Sequence, residues 1–471
     1  MSTKKGNGEC LDAFIVALNQ ACEGGRERWY ASTLQLQLAS LGFCRACRSV
    51  PVLHVRVDRG TPRSLTTAGD VREEDEEEKE EGPRSTGSSK RRLRTRVQPV
   101  RAVGLTWTLS EGVELPPSAS LSLWRWAEWL VLEGDGASCR LHSVRWPAGL
   151  KRLALRTRGS TPVREVSWPT TLQELAFGDD FNQPVAEFSG AAALRRIDFG
   201  HRFKQPIEGV AWPASLQQLS LGHCFDHPIA HVSWPHSLQA LAFGHYFDQP
   251  VVGVAWPASL QSLTFGHWFN QPVAGVVWPA SLQELRLGQN FDQPLADVVW
   301  PPSLRLLAFG DSGESVEEDY QFGFNQPLDG VSWPASLERL WFASDAFNQP
   351  IVNVDWPTSL RDLWLGNAFD QPITGVVWPT SLEELGFGSM FSQPITGVAW
   401  PAPLKKLEFR GAFNQPVAGV VWPPSLRELH LGYAFDQPID EVVWPESLER
   451  LSYEPVADDP SEAEQWSAFP E

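Results

Sequence analysis

Four histidines, His201, His223, His245 and His267, stand 22 residues apart, each directly after a glycine. If every 22 residues form one layer of a stack, their imidazoles make a column at the strand spacing of about 4.8 Å. A column that close has the geometry to hold a divalent metal or to respond to pH. No carboxylate is written beside it to support a ligand set, and repetition of one unit accounts for the row, so no cofactor is expected. The other cluster of reactive side chains is Cys44-Arg45-Ala46-Cys47. A zinc site would need a second pair at ribbon or finger spacing, which Cys10, Cys22 and His54 do not supply. A redox pair would need a βαβ context, which is missing. The chain contains no G-x-S-x-G, no glycine-rich phosphate loop and no H-E-x-x-H. An enzyme would show a singular constellation and an ice-binding protein a flat threonine ladder. Neither stands out, and a non-enzymatic protein is the expectation.

Composition says what positions these residues. The 471 residues include 22 Trp, 38 Pro and 25 Phe against 2 Met, a skew that arises when a few positions are written many times. With 42% apolar residues there is material for a substantial core. No window approaches 18 consecutive apolar residues, and the short apolar stretch 11–18 contains Asp12 and lacks a small-residue cleavage site, so neither a membrane span nor a secretory signal is expected. Six cysteines are too few for a disulfide framework, which fits a reduced, cytoplasmic chain. The net charge is −18, and residues 101–471 hold 22 basic against 43 acidic side chains. That balance argues against nucleic acid and for a basic protein partner.

The repeat is read from the Trp-Pro pairs. They begin at Trp146, Trp168, Trp212, Trp234, Trp256, Trp278, Trp300, Trp333, Trp356, Trp378, Trp400, Trp422 and Trp444. Between Trp168 and Trp212 one pair is missing, with Ser189-Gly190-Ala191 in its place, which makes 14 units. An acidic insertion within 311–322 lengthens one step, the next step has one extra residue, and Leu130-Val131-Leu132 resembles one more, degraded unit.

Each part of a unit has a physical reading. In Leu260-Gln261-Ser262-Leu263-Thr264-Phe265 the spacing ends in period-2 alternation, which predicts a short strand with Leu263 and Phe265 inward and Ser262 and Thr264 outward. Gly266 is read as the sharp exit from the strand, Phe269 as the wedge of a corner, and Asn270-Gln271 as satisfying backbone groups in the turn before Pro272. No segment is long enough for a helix, and one unit cannot bury its apolar groups alone, so units must stack into a solenoid.

The pattern W-P-x-S-L-x-x-L-x-F-G-x-x-F-[ND]-Q-P-[VI] resembles the FNIP repeat, a 22-residue relative of the leucine-rich repeat, with Trp where the family usually has Leu before Pro. The resemblance runs from Trp146 to about Tyr453. It implies a mainly β, right-handed, leucine-rich-repeat-like solenoid with one long parallel sheet, used for protein interaction, and it brings no catalytic residues.

The expected organisation is a weakly helical region over 1–70, with helical stretches at 11–21 and 31–48, then a disordered acidic-to-basic linker over 71–100. A cap with a degenerate repeat follows over 101–145, the solenoid over 146–457 and a tail over 458–471. Residues 36–50, L-Q-L-A-S-L-G-F-C-R-A-C-R-S-V, resemble the last helices of an F-box without its L-P start. That resemblance implies the alternative function, substrate receptor of a ubiquitin ligase.

Because ladder residues recur in every unit, specificity must lie in the outward positions that vary. Trp341 and Trp364 fall on adjacent strands where other units carry mostly small or polar residues. With Arg339 and Asp362 beside them, and Glu284, Arg286, Glu384 and Lys406 on neighbouring strands, they have the composition of an interface hot spot, unless the insertion folds over both rings. The function expected from sequence is a monomeric, cytoplasmic interaction scaffold that binds a basic protein partner along its open sheet.

Overall fold

The computed structural model describes residues 53–57, 103–109, 127–135 and 141–453, apart from 159–162, 164, 189, 311–322 and 344–345. The stretches 11–21, 31–48 and 36–50, the Cys44–Cys47 pair, the linker over 71–100 and the insertion therefore lie outside the described residues. The chain divides into two compact units, Met1–Phe181 with Ser189–Leu194, and Asn182–Phe188 with Arg195–Glu471.

The first unit holds β1 (Leu53–Val57), β2 (Val103–Leu109), β3 (Ala127–Asp135), β4 (Arg152–Arg158) and β5 (Glu174–Phe177), each parallel to the next. Within the span expected to be weakly helical, Leu53–Val57 is thus a strand. The degraded unit at Leu130-Val131-Leu132 is a true coil: Leu130 pairs with Leu153 and Leu132 with Leu155, and both are fully buried.

The second unit holds β6 (Arg196–Asp198), β7 (Gln218–Ser220), β8 (Ala240–Ala242), β9 (Ser262–Thr264), β10 (Glu284–Leu287) and β11 (Leu306–Phe309). It continues with β12 (Arg339–Phe342), β13 (Asp362–Trp364), β14 (Glu384–Phe387), β15 (Lys406–Phe409), β16 (Glu428–His430) and β17 (Arg450–Ser452). Every neighbouring pair is parallel and in register. The fold is a parallel β-solenoid with a repeat of about 22 residues. The insertion leaves the register intact, because Leu307 on β11 still faces Leu340 on β12. No helix among the described residues is long and apolar enough to cross a membrane.

The inward positions form columns. Leu260, Leu263, Phe265, Phe269, Val273, Val276 and Trp278 of one coil are all buried. Where the Trp is missing, Phe188 replaces it, stacking on Trp212 at 5.8 Å between ring centroids. Equivalent residues of successive coils are related by the same step, so their ring separation is the local pitch of the solenoid. It is 4.1–4.5 Å between the histidines at the strand ends and 5.2–5.5 Å between strand-end phenylalanines such as Phe243 and Phe265 or Phe309 and Phe342. It widens to 6.1–6.2 Å between corner phenylalanines such as Phe225, Phe247 and Phe269, and to 6.4 Å between Trp256 and Trp278. Coils of this unit fan apart away from the sheet, which places the sheet on the inner side of its curvature.

Two polar ladders tie coil to coil. Asp248 Oδ1 accepts from the backbone N–H of Asn270 and from Gln271 Nε2, both at 2.9 Å. Asn270 Oδ1 does the same for Asp292 and Gln293, again at 2.9 Å. The groups satisfied belong to the next coil, not to the residue's own turn as sequence suggested. The Ser of most W-P-x-S-L words donates to the coil before it, Ser259 Oγ to the Leu238 carbonyl at 2.7 Å and Ser281 Oγ to that of Leu260 at 2.6 Å. At Gly266 the reason for the strand-ending glycine differs from expectation, whereas Gly310, Gly366 and Gly432 in the same position, at φ 95°, 77° and 77°, do use glycine's backbone freedom. A Cβ on Gly266 would lie 1.7 Å from the Gly244 carbonyl oxygen, so close approach of coils demands glycine there. Gly275, at φ 79°, marks a second position in the coil that needs left-handed backbone.

Two stability predictions follow from these ladders. Asp248→Ala strands two donors of the next coil and should cost about 1–3 kcal/mol in chemical denaturation, whereas Asp248→Asn, the residue one coil on, should cost under about 0.5. The Trp278 indole N–H is buried without a protein acceptor. Trp278→Phe should therefore lose less than about 1 kcal/mol and Trp278→Ala about 3–5. Equal losses for the two Trp278 variants would show that the indole N–H matters more than the stack.

Candidate functional site

The outward side chains of the second unit fall into two rows. One runs Glu284, Leu306, Arg339, Asp362, Glu384, Lys406, and the other Arg286, Ala308, Trp341, Trp364, Gly386, Glu408. All eight residues singled out from the sequence lie on β10 to β15, on one face. Their grouping follows from register alone.

Trp341 and Trp364 are half-buried, which period-2 alternation does not foretell. Small neighbours explain it. Ala308 lies between Trp341 and β10, so Arg286 reaches across it and sits 5.6 Å from the Trp341 ring centroid, and Ala308 beneath is 0% exposed. Arg339 approaches the same ring at 5.8 Å. Gly386 plays the matching part for Trp364: a Cβ there would fall 2.0 Å from the indole, so the ring lies flat over β14. Arg410 then stacks on it at 4.3 Å. Glu408 holds Arg410 through a 2.6 Å hydrogen bond from its Nε. Sequence reasoning passed over Arg410, yet a signal existed: it stands where most units have the strand-ending glycine.

Charge on this face is shaped by burial. Trp341 Nε1 donates to Asp362 Oδ2 at 2.9 Å. Burial pushes the Asp362 carboxyl up to about 6. The Trp341 hydrogen bond works against that rise, Glu384 adds to it, and Arg339 and Lys406 oppose it. For Glu408 burial also works against the charge, but the hydrogen bond and charge of Arg410, together with Lys406, outweigh it and hold the carboxyl below its ordinary value.

On β6 to β9 the same face has a low floor of small side chains. A shallow depression of about 250 Å³ is lined there by Arg196, Gln218, Ser220, Ala242, Ser262 and Thr264. Beside it runs the histidine column. His201, His223, His245 and His267 stack in turn at 4.1, 4.4 and 4.5 Å with rings nearly parallel. Burial, then the neighbouring His201 and His267, lower the His223 imidazole below its ordinary value. Tyr246 and Trp268, one residue past their histidines, are exposed.

Asp362 gives this face a pH signature. A carboxyl raised from 3.8 to about 6 favours the folded state when neutral. That contribution is complete below about pH 4 and is lost as pH rises through 6. Asp362→Asn keeps an acceptor for Trp341 and removes the charge. By thermal denaturation the variant should gain on wild type between pH 4 and 7, by about 1–2 kcal/mol after allowance for solvent screening, and the gap should then level off. A gap independent of pH would mean that Asp362 ionises freely.

The family model described as FNIP Repeat matches residues 269–312, 347–390 and 413–452. Among solved structures the chain is similar to CroV588, described as a novel circular LRR protein, at 33% identity and a TM-score of 0.62, covering 75% of this chain and 53% of that one. It is also similar to a chain of the Toll–Spätzle complex of Drosophila, at 15% identity and a TM-score of 0.49, covering 83% of this chain and 51% of that one. The chain thus spans about half the length of each. No curated protein matches it. With its 22-residue coil matched by the FNIP description in three separate stretches, and its fold shared with a leucine-rich-repeat structure at 33% identity, the chain is an FNIP-type, leucine-rich-repeat-like repeat protein.

Proposed function

We propose that this protein is a non-enzymatic interaction scaffold that binds a protein partner along the inner, sheet face of its second unit, with β10 to β15 as the anchoring patch. The carrying observation is the pair of half-buried indoles held by Arg286, Arg339 and Arg410. Rings fixed in this way lose little freedom on contact, which is what makes aromatic and arginine residues strong interface anchors. The adjoining trough over β6 to β9 is too shallow to enclose a small molecule but suits a protruding segment of a protein. The acidic balance of residues 101–471 favours a basic partner, steered by charge and weakened by salt.

The test is affinity capture from extract of the source cells with the full chain and with a Trp341→Ala, Trp364→Ala double variant, scored by quantitative mass spectrometry. Circular dichroism serves as the control for folding. A partner with a basic surface should bind wild type at least about tenfold better than the double variant, since interface anchors are worth about 2 kcal/mol or more each. Its association rate should fall steeply between low and physiological salt. Identical capture by both proteins would sink the assignment of this patch.

A further inference from the structure

The histidine column is not uniform along its length. Trp268 Nε1 donates to His245 Nε2 at 3.1 Å, so that lone pair is already engaged. The edge of Tyr246 meets the His223 and His245 rings at 5.2 and 5.1 Å. At the other end the position after the histidine is Cys224, where the neighbouring coils carry Arg202, Tyr246 and Trp268. The Cys224 backbone N–H donates to the His201 carbonyl at 2.9 Å, a bond that Tyr246 and Trp268 repeat one and two coils on, so what sets this coil apart is its thiol. Donor atoms of His201, His223 and Cys224 all lie within 4.8 Å of one another. Two further observations point to a ligand. His223 Nδ1 is buried and has no hydrogen-bond partner in the protein, and Cys224 is a free, half-buried thiol.

We propose that His201, His223 and Cys224 form a binding site for a zinc-class divalent transition-metal ion, separate from the interaction patch on β10 to β15. Two imidazole nitrogens and one thiolate are the donor set that a borderline-soft ion selects. With metal–nitrogen bonds of about 2.0–2.1 Å and a metal–sulfur bond of about 2.3 Å, tetrahedral ligand atoms sit about 3.4–3.6 Å apart. The three donors reach that spacing by closing about 1 Å. His201 is exposed and free to turn by that amount. Binding releases the thiol proton to solvent, and the fourth position stays open to water or to a side chain of another molecule. His245 and His267 do not belong to the set, since the donors that lie within 4.8 Å of one another are those of His201, His223 and Cys224, and His245 Nε2 already accepts from Trp268.

The probe is cobalt(II), titrated into the full-length chain after chelator treatment, followed by displacement with zinc. Thiolate–cobalt charge transfer should give a saturable near-ultraviolet band of one equivalent that is lost in Cys224→Ser. His201→Asn and His223→Asn should each weaken binding at least about tenfold, as loss of one of three ligands requires. His267→Asn, a member of the same stack outside the donor set, should bind within twofold of wild type. Thermal midpoints without metal verify that each variant is folded, and because His201 is exposed its replacement is the arm least exposed to misfolding. The proposal is overturned if the band persists undiminished in Cys224→Ser, which would assign it to another of the six cysteines, or if wild type shows no band. It is equally overturned if His267→Asn weakens binding as much as His223→Asn, which would make the effect one of column packing.

Discussion

Coil-to-coil registry is the constraint on which the rest of this structure depends. A parallel sheet fixes strand spacing near 4.8 Å, and every recurrent residue serves layers held that close on one side. Gly266 is glycine because the Gly244 carbonyl occupies the space of a Cβ. Asp248 and Asn270 recur because a coil's turn leaves donors that only the preceding coil can reach. Phenylalanine and tryptophan recur farther from the sheet, where the pitch opens to 6.1–6.4 Å and thicker side chains are needed to fill it. Curvature is thus the geometric result of small groups at the strand ends and large rings on the opposite wall.

The same constraint explains what could be read beforehand. Strand positions, inward columns and outward rows were all accessible, because a repeat states each position many times and isolated exceptions do not obscure the pattern. Exceptions were where sequence reasoning lost hold. Phe188 takes the place of a missing Trp two residues before the expected position, a substitution visible only once the ring is seen on Trp212. At Gly266 the glycine was assigned to backbone freedom, which holds at Gly310, Gly366 and Gly432 but not there, because the approach of a neighbouring layer leaves no trace in a linear pattern.

Period-2 alternation tells which face a side chain takes but not how deep it lies. Depth on an open sheet depends on the residues one and two strands away. Trp364 lies flat because Gly386 yields the room, and Trp341 is roofed because Ala308 lets Arg286 pass. Those are pairwise facts between coils, and each coil alone reads as ordinary. Arg410 shows the same limit from the other side: a departure from glycine reads as a flaw in the motif until its guanidinium is found on an indole, with Glu408 fixing it there.

A division of labour follows from this geometry. Inward columns carry most of the stability and tolerate little change, while most outward positions are only partly covered. Each coil's contribution to the core is nearly the same, so a change on the sheet face alters the surface without altering the stack. Two regions of different chemistry therefore coexist on one face: an aromatic and charged patch on β10 to β15, and a trough of small side chains flanked by histidines on β6 to β9. The core beneath them is written in the same words. Departures from the repeat are what give each stretch of the sheet its own surface, and Trp341, Trp364, Gly386 and Arg410 gather four of them on neighbouring strands.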